Sequence, residues 1–506
     1  MEFRYYDWID YHARYTPTKV AIVDLETKRR LTYVELSRRS NQLARWLKAK
    51  GVAQGDRVSI LSKSCPEAFQ LQFACAKIGA IFLPLNWRLA VPELEFILSD
   101  AQPTALLLST DIPTGRLLSR KHAIPSVEFG GSADAEFAAL LDGFDDTPAQ
   151  LADVDMEDVW AMLYTSGTTG NPKAAMLSYR MVVANALNFS FPIRATIDSV
   201  FLCAMPTFHT GGLNVYANPI LHAGGTVLIM RDFDPEVAVS ILSDAAWRVT
   251  HFFGTPSHYL FMSQQPAFEH ARFPTLVNVG VGGAAPTANM IEEWLDKGAP
   301  IQPTYGMTEI GPGVLTTDHD RVREKLGTAG RPVLHMDLAI MDGDGNELPR
   351  GQVGEICVRG PSVMSGYWQR PEANEASFRN GWFRSGDAAY QDSDGYVFIV
   401  DRLREMFISG GENVYPAEIE KVLSTMPEIT MSAVVGVPDQ KWGEVGRAFV
   451  VLKPGAQLSE HDIRKRCERL LAKYKVPKSV IFTDALPQTA SGKVQKHALR
   501  EWNVSA

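Results

Sequence analysis

Four aliphatic hydroxyls, two glycines and a terminal lysine crowd the stretch YTSGTTGNPK, Tyr164 to Lys173. Residues of these types suit a polyphosphate. Gly167 and Gly170 let backbone N–H groups approach an anion closely, Thr165, Ser166, Thr168 and Thr169 add donors, and Lys173 adds a positive charge on a long arm. The same residues are ordinary turn formers, and composition alone favours a polar surface turn. A Walker-type loop is a sharper alternative, but it needs GxxxxGK[ST]. Here Gly170 is followed by Asn171, Pro172 and Lys173, so that pattern fails. Other chemistry-bearing residues stand far apart: His209 in PTFHTGG, Glu309 in YGMTE, Asp387 in RSGD and Lys493 in SGKVQK. Taken singly, each has an ordinary reading as a satisfied histidine, a solvated or ion-paired acid, or a solvated lysine.

The elements that must hold these residues follow from periodicity. From Arg57 the chain alternates β-rich and amphipathic runs: RVSILS, PEAFQLQFACAKIGA, IFLPLN, VPELEFILSDA and TALLLS. That βαβαβ alternation predicts a doubly wound sheet. It returns in VFLCAM, GGTVLIM, PEVAVSILSDAAW, VTHFFG, TLVNVGVGG and PTANMIEEWLDKG, so a large α/β body reaches to about residue 330. The apolar run VWAMLY predicts a buried strand before Thr165, which places the hydroxyl-rich stretch in the loop at its end. After residue 330 the Asp-Gly turns of MDGDGNELPRGQVGEICVRG predict a β-rich subdomain over 331–402. From Leu403 two helical runs, YPAEIEKVLSTM and SEHDIRKRCERLLAKY, flank the strands SAVVGV and RAFVVL. The expected architecture is α/β, with an N-terminal domain over 1–402 and a small α+β domain over 403–506.

The 506 residues are 45% hydrophobic and 21% charged, the balance of a globular chain with more than one core. A formal net charge of -8 argues against nucleic acid or an anionic membrane as main partner, because both are bound through clustered Lys and Arg. No run is long and apolar enough to span a membrane, and the start MEFRYYDWID lacks the pattern of a signal peptide. The five cysteines are scattered with no CxxC pair, which fits a reducing cytoplasm. Oligomeric state is left open, a homodimer included.

The motif TSGTTGNPK resembles the phosphate loop of the adenylate-forming superfamily, which includes acyl-CoA synthetases, luciferases and peptide-synthetase adenylation domains. The resemblance continues in order through PTFHTGG, GGAAP (Gly282 to Pro286), YGMTE, RSGD, DRLREMFISGGENVYPAEIE (Asp401 to Glu420) and SGKVQK. It implies a two-step reaction using ATP, Mg²⁺ and coenzyme A. A carboxylate attacks the α-phosphorus to give acyl-AMP and pyrophosphate, then a thiol displaces AMP. It further implies that Thr165 to Gly170 and Lys173 hold the phosphates, and that Gly283, Ala284 and Ala285 lie along adenine with Tyr305, Gly306 and Met307. Thr308 would contact the α-phosphate and Glu309 would place Mg²⁺, which suits a hard cation with few protein ligands. Asp387 and Arg402 would hold the ribose, and Gly410 and Gly411 the pantetheine arm. Arg404 would be the hinge of a mobile C-terminal domain, and Lys493 would bridge acid and phosphate oxygens in the first step.

Of the acid site, His209 stands where amino-acid-activating relatives carry an Asp, so an amino acid is not expected. With Gly211, Gly212, Leu213, Asn214, Val215, Tyr216, Val281 and Gly313 it would line an uncharged pocket for an apolar monocarboxylic acid. The paired glycines favour room for a medium or longer fatty chain, with an aromatic acid as the alternative. Two positions depart from the family pattern: Ala174 replaces a common Gly, and Tyr179 a common His. Ser178 is a candidate helix N-cap. Trp442 reads as packing. Competing functions are loading of a separate carrier protein, luciferase-type oxygen chemistry and an inactive nucleotide sensor.

Overall fold

The computed structural model describes residues 4–165, 172–403, 405–410, 412–489 and 494–502. The chain forms two compact units, one of Met1–Leu326, Arg331–Asp337 and Arg359–Phe378, the other of Gly327–Gly330, Leu338–Val358 and Arg379–Ala506.

The first unit carries a seven-stranded and a nine-stranded sheet, each parallel in its interior with antiparallel strands toward one or both edges. The predicted alternation is present: strand Arg57–Leu61, helix Pro66–Ile78, strand Ile81–Leu85, helix Val91–Ala101 and strand Ala105–Ser109 follow in order. The helix Pro66–Ile78 starts on a proline and stops at Gly79, whose φ of 71° is left-handed. Every residue of it is buried. Its Lys77 is buried too, and is tolerated because Nζ meets Asp7 at 2.5 Å and Asp10 at 2.7 Å. The N-terminal strand Val20–Asp24 pairs in parallel with Thr226–Ile229, so the start of the chain completes the second sheet. Asp24 fixes that junction through Arg231 at 2.6 Å.

Ser178 caps the helix Tyr179–Ile193, accepting the Met181 N–H at 3.2 Å. Tyr179 is a core residue whose hydroxyl donates to the Ala76 carbonyl at 3.1 Å. Ala174 is buried among apolar side chains.

Two five-stranded sheets account for the second unit. In the first, Gly354–Arg359 pairs with Trp382–Gln391, which pairs with Val397–Arg402. Its Asp-Gly turn closes as the sequence indicates, with Asp342 accepting the N–H groups of Asp344 and Asn346 and Gly345 at φ 88°. The second is built on the long antiparallel pair Ile429–Asp439 and Gly443–Leu452, covered by helices Pro416–Leu423 and Glu460–Leu470. The β-rich stretch that the sequence groups with the N-terminal body is therefore divided. Residues 338–358 and 379–402 share a compact unit with the C-terminal domain because they form one sheet whose last strand is tied to helix Pro416–Leu423.

Candidate active site

Parallel strands send their following loops to one edge, where ligands of doubly wound sheets collect. In the nine-stranded sheet, Asn278–Val281 pairs in parallel with Ile301–Tyr305, with Val281 opposite Pro303. Gly283, Ala284 and Ala285 thus leave the sheet beside Tyr305, Gly306 and Met307, and they are exposed there. Gly306 is a steric requirement, since a Cβ would fall 1.6 Å from the Pro312 carbonyl oxygen. The chain then tightens into a 3-10 turn, Thr308–Ile310, which buries Thr308 and Glu309.

Glu309 is the meeting point of the two sheets. Its Oε1 accepts from the Tyr367 hydroxyl at 2.9 Å and from Thr165 Oγ1, at the end of strand Val159–Thr165, at 3.4 Å. Thr165 pairs across the ladder with Lys173, whose Nζ lies 5.4 Å from the Tyr367 ring centroid. Tyr164 takes no part in this cluster. Its hydroxyl donates to Asp100 at 2.7 Å, and burial followed by the Asp100 charge pushes the phenol far above its ordinary range. The motif residues Ser166, Gly167, Thr168, Thr169 and Gly170 lie outside the described residues.

On the acid side, His209 caps the short helix Thr210–Leu213, its Nδ1 accepting the Gly211 N–H at 3.0 Å, which leaves the ring proton on Nε2. The steric room expected from the paired glycines is not there. A Cβ on Gly212 would meet the Pro206 carbonyl oxygen at 2.3 Å, and one on Gly211 the Met205 methyl at 3.0 Å, so both exist for close packing. Leu213, Asn214 and Val281 are buried as well. Aromatic rings fill the neighbouring space. Phe189 occupies the place of a Gly313 side chain, while Tyr216 and Phe253 crowd Gly280. Tyr216 is 5.5 Å from both Phe201 and Phe253, and its hydroxyl donates to Asn278.

In the second unit, Asp387 and Arg402 face each other across two strands as an ion pair of 2.7 Å, Asp387 being buried. The ordinary reading of Asp387 as an ion-paired acid is met, with Arg402 as its partner. Gly410, with φ 61°, donates its N–H to the Trp442 carbonyl at 2.9 Å and is covered by that indole, which a Cβ would meet at 2.9 Å. Arg404, Gly411 and Lys493 lie outside the described residues.

Against family models, residues 9–368 match the AMP-binding enzyme and residues 418–493 the AMP-binding enzyme C-terminal domain. The chain belongs to the AMP-binding enzyme family. It is 41% identical over 500 residues to a feruloyl-CoA synthase of Amycolatopsis sp, covering 97% of this chain and 98% of that one. It is 36% identical to a long-chain-fatty-acid–CoA ligase of Mycobacterium tuberculosis, with 97% and 96% covered. The ATP-bound structure of MatB from Rhodopseudomonas palustris superimposes with a TM-score of 0.89 at 34% identity, over 97% of this chain and 98% of that one. This AMP-binding enzyme is accordingly an AMP-forming acid–thiol ligase of the adenylate-forming superfamily, using ATP, Mg²⁺ and coenzyme A.

The residues present fit that metal. Among the described residues no group of three or more acids, histidines or cysteines is placed to hold a metal ion by itself, so a cation at the buried Glu309 carboxylate would draw its other oxygen ligands from phosphate and water, as Mg²⁺ does. Sequence reasoning missed Tyr367, which touches Glu309 and flanks Lys173. Nothing in GYWQR marks it chemically; only the pairing of Gly366–Tyr367 with Ala175 and Met176 brings it there. Trp442, set aside as packing, does pack, but on the backbone of Gly410.

Proposed function

We propose that this ligase activates an aromatic carboxylic acid through its acyl-adenylate to the CoA thioester, in the cytoplasm, where its five buried free thiols are suited. What supports the choice of acid is the Phe189 ring seated against Gly313, with Tyr216 and Phe253 beyond it: a cluster of buried rings that, as a wall of the acid site, would suit a flat aromatic acid better than a long flexible chain. The kinship with a feruloyl-CoA synthase supports the same acid class.

The roles follow from charge and position. The loop from Thr165 to Lys173 holds the phosphates, and Thr308 donates to the α-phosphate. Glu309, steadied by Tyr367, would hold Mg²⁺, which would supply screening of the phosphate charge. Tyr305 with Gly283, Ala284 and Ala285 flanks adenine, and Asp387 and Arg402 take the ribose. His209 closes the acid side. Lys493 brings its ammonium to the acid and phosphate oxygens as charge shifts between them. The domain from 403 then turns about Arg404, and Gly410 and Gly411 admit the thiol arm.

The test is incubation with ATP, Mg²⁺, CoA and a panel of aryl and fatty acids of graded length, with products read by mass spectrometry. A dominant aryl-CoA is expected. A dominant fatty acyl-CoA overturns the acid class and keeps the chemistry; acid-dependent AMP without thioester moves the second step to a carrier protein.

A further inference from the structure

One buried amide of the first unit has its oxygen left open. Asn185, on helix Tyr179–Ile193, is 3% exposed. Its Nδ2 donates to the Asn214 carbonyl at 2.6 Å, while its Oδ1 is shielded from solvent and has no partner among the described residues. A carbonyl oxygen only accepts, so chemistry orients this amide: the nitrogen must face Asn214 and the oxygen must face elsewhere. The neighbouring Asn188 is not fixed in the same way. It meets Ser362 Oγ at 3.2 Å, and a hydroxyl takes either role, so that amide can turn to suit.

The orientation of Asn185 is held from behind. Asn214 follows the turn that His209 caps, and its Nδ2 donates to Thr210 Oγ1 at 3.3 Å while its Oδ1 accepts from Asn218 Nδ2 at 2.8 Å. Asn218 Oδ1 in turn accepts from Gln72 Nε2 at 2.7 Å. All of these side chains are buried. The bonds run from helix Pro66–Ile78 through helix Ala217–Ala223 to the His209 turn, and they end at Asn185. They fix Asn214, and Asn214 fixes the amide that bonds it.

Asn185 and Phe189 stand four apart on one helix, so they share a face, and the Phe189 side chain leans back over the turn that carries Asn185. Phe189 is the ring seated against Gly313. Asn185 therefore lies beside that ring and in bond to the stretch that follows His209, the two sides assigned above to the acid. A buried acceptor without a donor is costly, and a native fold retains one where a donor arrives from elsewhere.

We propose that Asn185 is a specificity-determining residue of the acid site: its Oδ1 accepts a hydrogen bond from a hydroxyl on the ring of the acid, so the preferred substrate is a hydroxyaryl carboxylic acid. The inference rests on the aromatic reading of that site. Such an acceptor acts mainly by rejection, because a ring without the hydroxyl leaves Oδ1 unpaired in a space closed to water.

The test measures kcat/KM on the full chain for aryl acids in sets of three, carrying hydrogen, fluorine or hydroxyl at the same ring position, with each position taken in turn. Fluorine approaches the hydroxyl in size but cannot donate. The wild type is expected to prefer the hydroxyl member over both others by about tenfold or more at one ring position. Asn185→Leu removes the acceptor at similar volume and should level the three; Asn185→Ala is the second variant, should leucine strain the core. Ratios within a set do not depend on how much of a variant folds, and a merely structural role would lower all three members alike. Aryl-CoA formed with no preference for the hydroxyl at any position overturns this inference and leaves the aromatic reading standing. A preference that survives both substitutions undiminished removes Asn185 from the role. A wild type that makes fatty acyl-CoA alone overturns the aromatic reading, and this inference falls with it.

Discussion

At the scale of the residue, the reaction divides cleanly between charges needed for the first step and space needed for the second. Lys493→Ala removes the ammonium proposed to follow charge from acid to phosphate. Adenylate formation should fall on the order of 100- to 1,000-fold, as when one preorganised donor is lost, while conversion of supplied acyl-AMP to thioester persists. Parallel loss of both steps would show that the lysine only shapes the fold. Tyr367→Phe is a finer cut. It deletes the hydroxyl that donates to Glu309 Oε1 at 2.9 Å while keeping the ring beside Lys173. A hydrogen bond to a charged group contributes about 1.5–3 kcal/mol, so adenylation should slow about tenfold or more and need more Mg²⁺ for half-saturation, with the KM for the acid unchanged. An unaltered Mg²⁺ requirement would remove Tyr367 from the site.

At the scale of the element, the helix Tyr179–Ile193 links the fold to specificity. Ser178 starts it, Tyr179 roots it in the core, and Phe189 ends up against Gly313. Phe189→Ala should open the wall. A gain or loss of a few methylenes in such a pocket is worth about 10- to 200-fold in kcat/KM, so the preference should move from aryl acids toward longer fatty acids by at least the lower figure. The cost is about 3–5 kcal/mol of stability if the cavity does not collapse. No change in the acid profile would mean that Phe189 packs without facing substrate. The elements themselves were legible: strands buried on both faces read as unbroken apolar runs, and Ser178 announced its cap. Gly211 and Gly212 misled because a glycine signals close approach without saying what approaches: at Gly212 it is the backbone of Met205 and Pro206, and at Gly211 the Met205 methyl and the His209 ring. Tyr367 and the strand Val20–Asp24 escaped for a related reason. Their partners lie far along the chain, Glu309 for one and Thr226–Ile229 for the other, and no local period encodes such pairing.

At the scale of the whole molecule, two histidines, His251 buried and His258 partly buried, shape the response to acid. His251 Nε2 faces the Ile193 carbonyl at 2.7 Å and must carry the proton, so Nδ1 accepts from Thr250 Oγ1 at 2.7 Å and the neutral ring is fully satisfied. His258 Nδ1 likewise accepts from Thr255 Oγ1 at 2.7 Å. Burial lowers both from the ordinary 6.5 to about 4, the Ile193 bond partly offsetting it at His251 and Arg88 adding to it at His258. The folded state thus disfavours the charged ring. Unfolding takes up protons below 6.5, so stability is fully present above that value, declines as pH falls through the interval and levels off below about 4. The buried His251 ring accounts for about 3 kcal/mol across it, and the partly exposed His258 for less. Asp24 acts lower still: burial pushes its carboxyl up, Arg231 more than offsets this, and its contribution is lost only below the ordinary carboxylate range. Asp401 and Glu420, raised by burial, oppose the histidines, so the histidine share must be isolated by difference. The measurement is the denaturant midpoint of wild type and His251→Gln at pH 7, 5.5 and 4.5. The wild type should weaken steadily, and the variant should start lower but lose less. Equal slopes would mean that His251 is charged, or solvated, in the folded protein, and the neutral hydrogen-bond pattern at Ile193 and Thr250 would have to be abandoned.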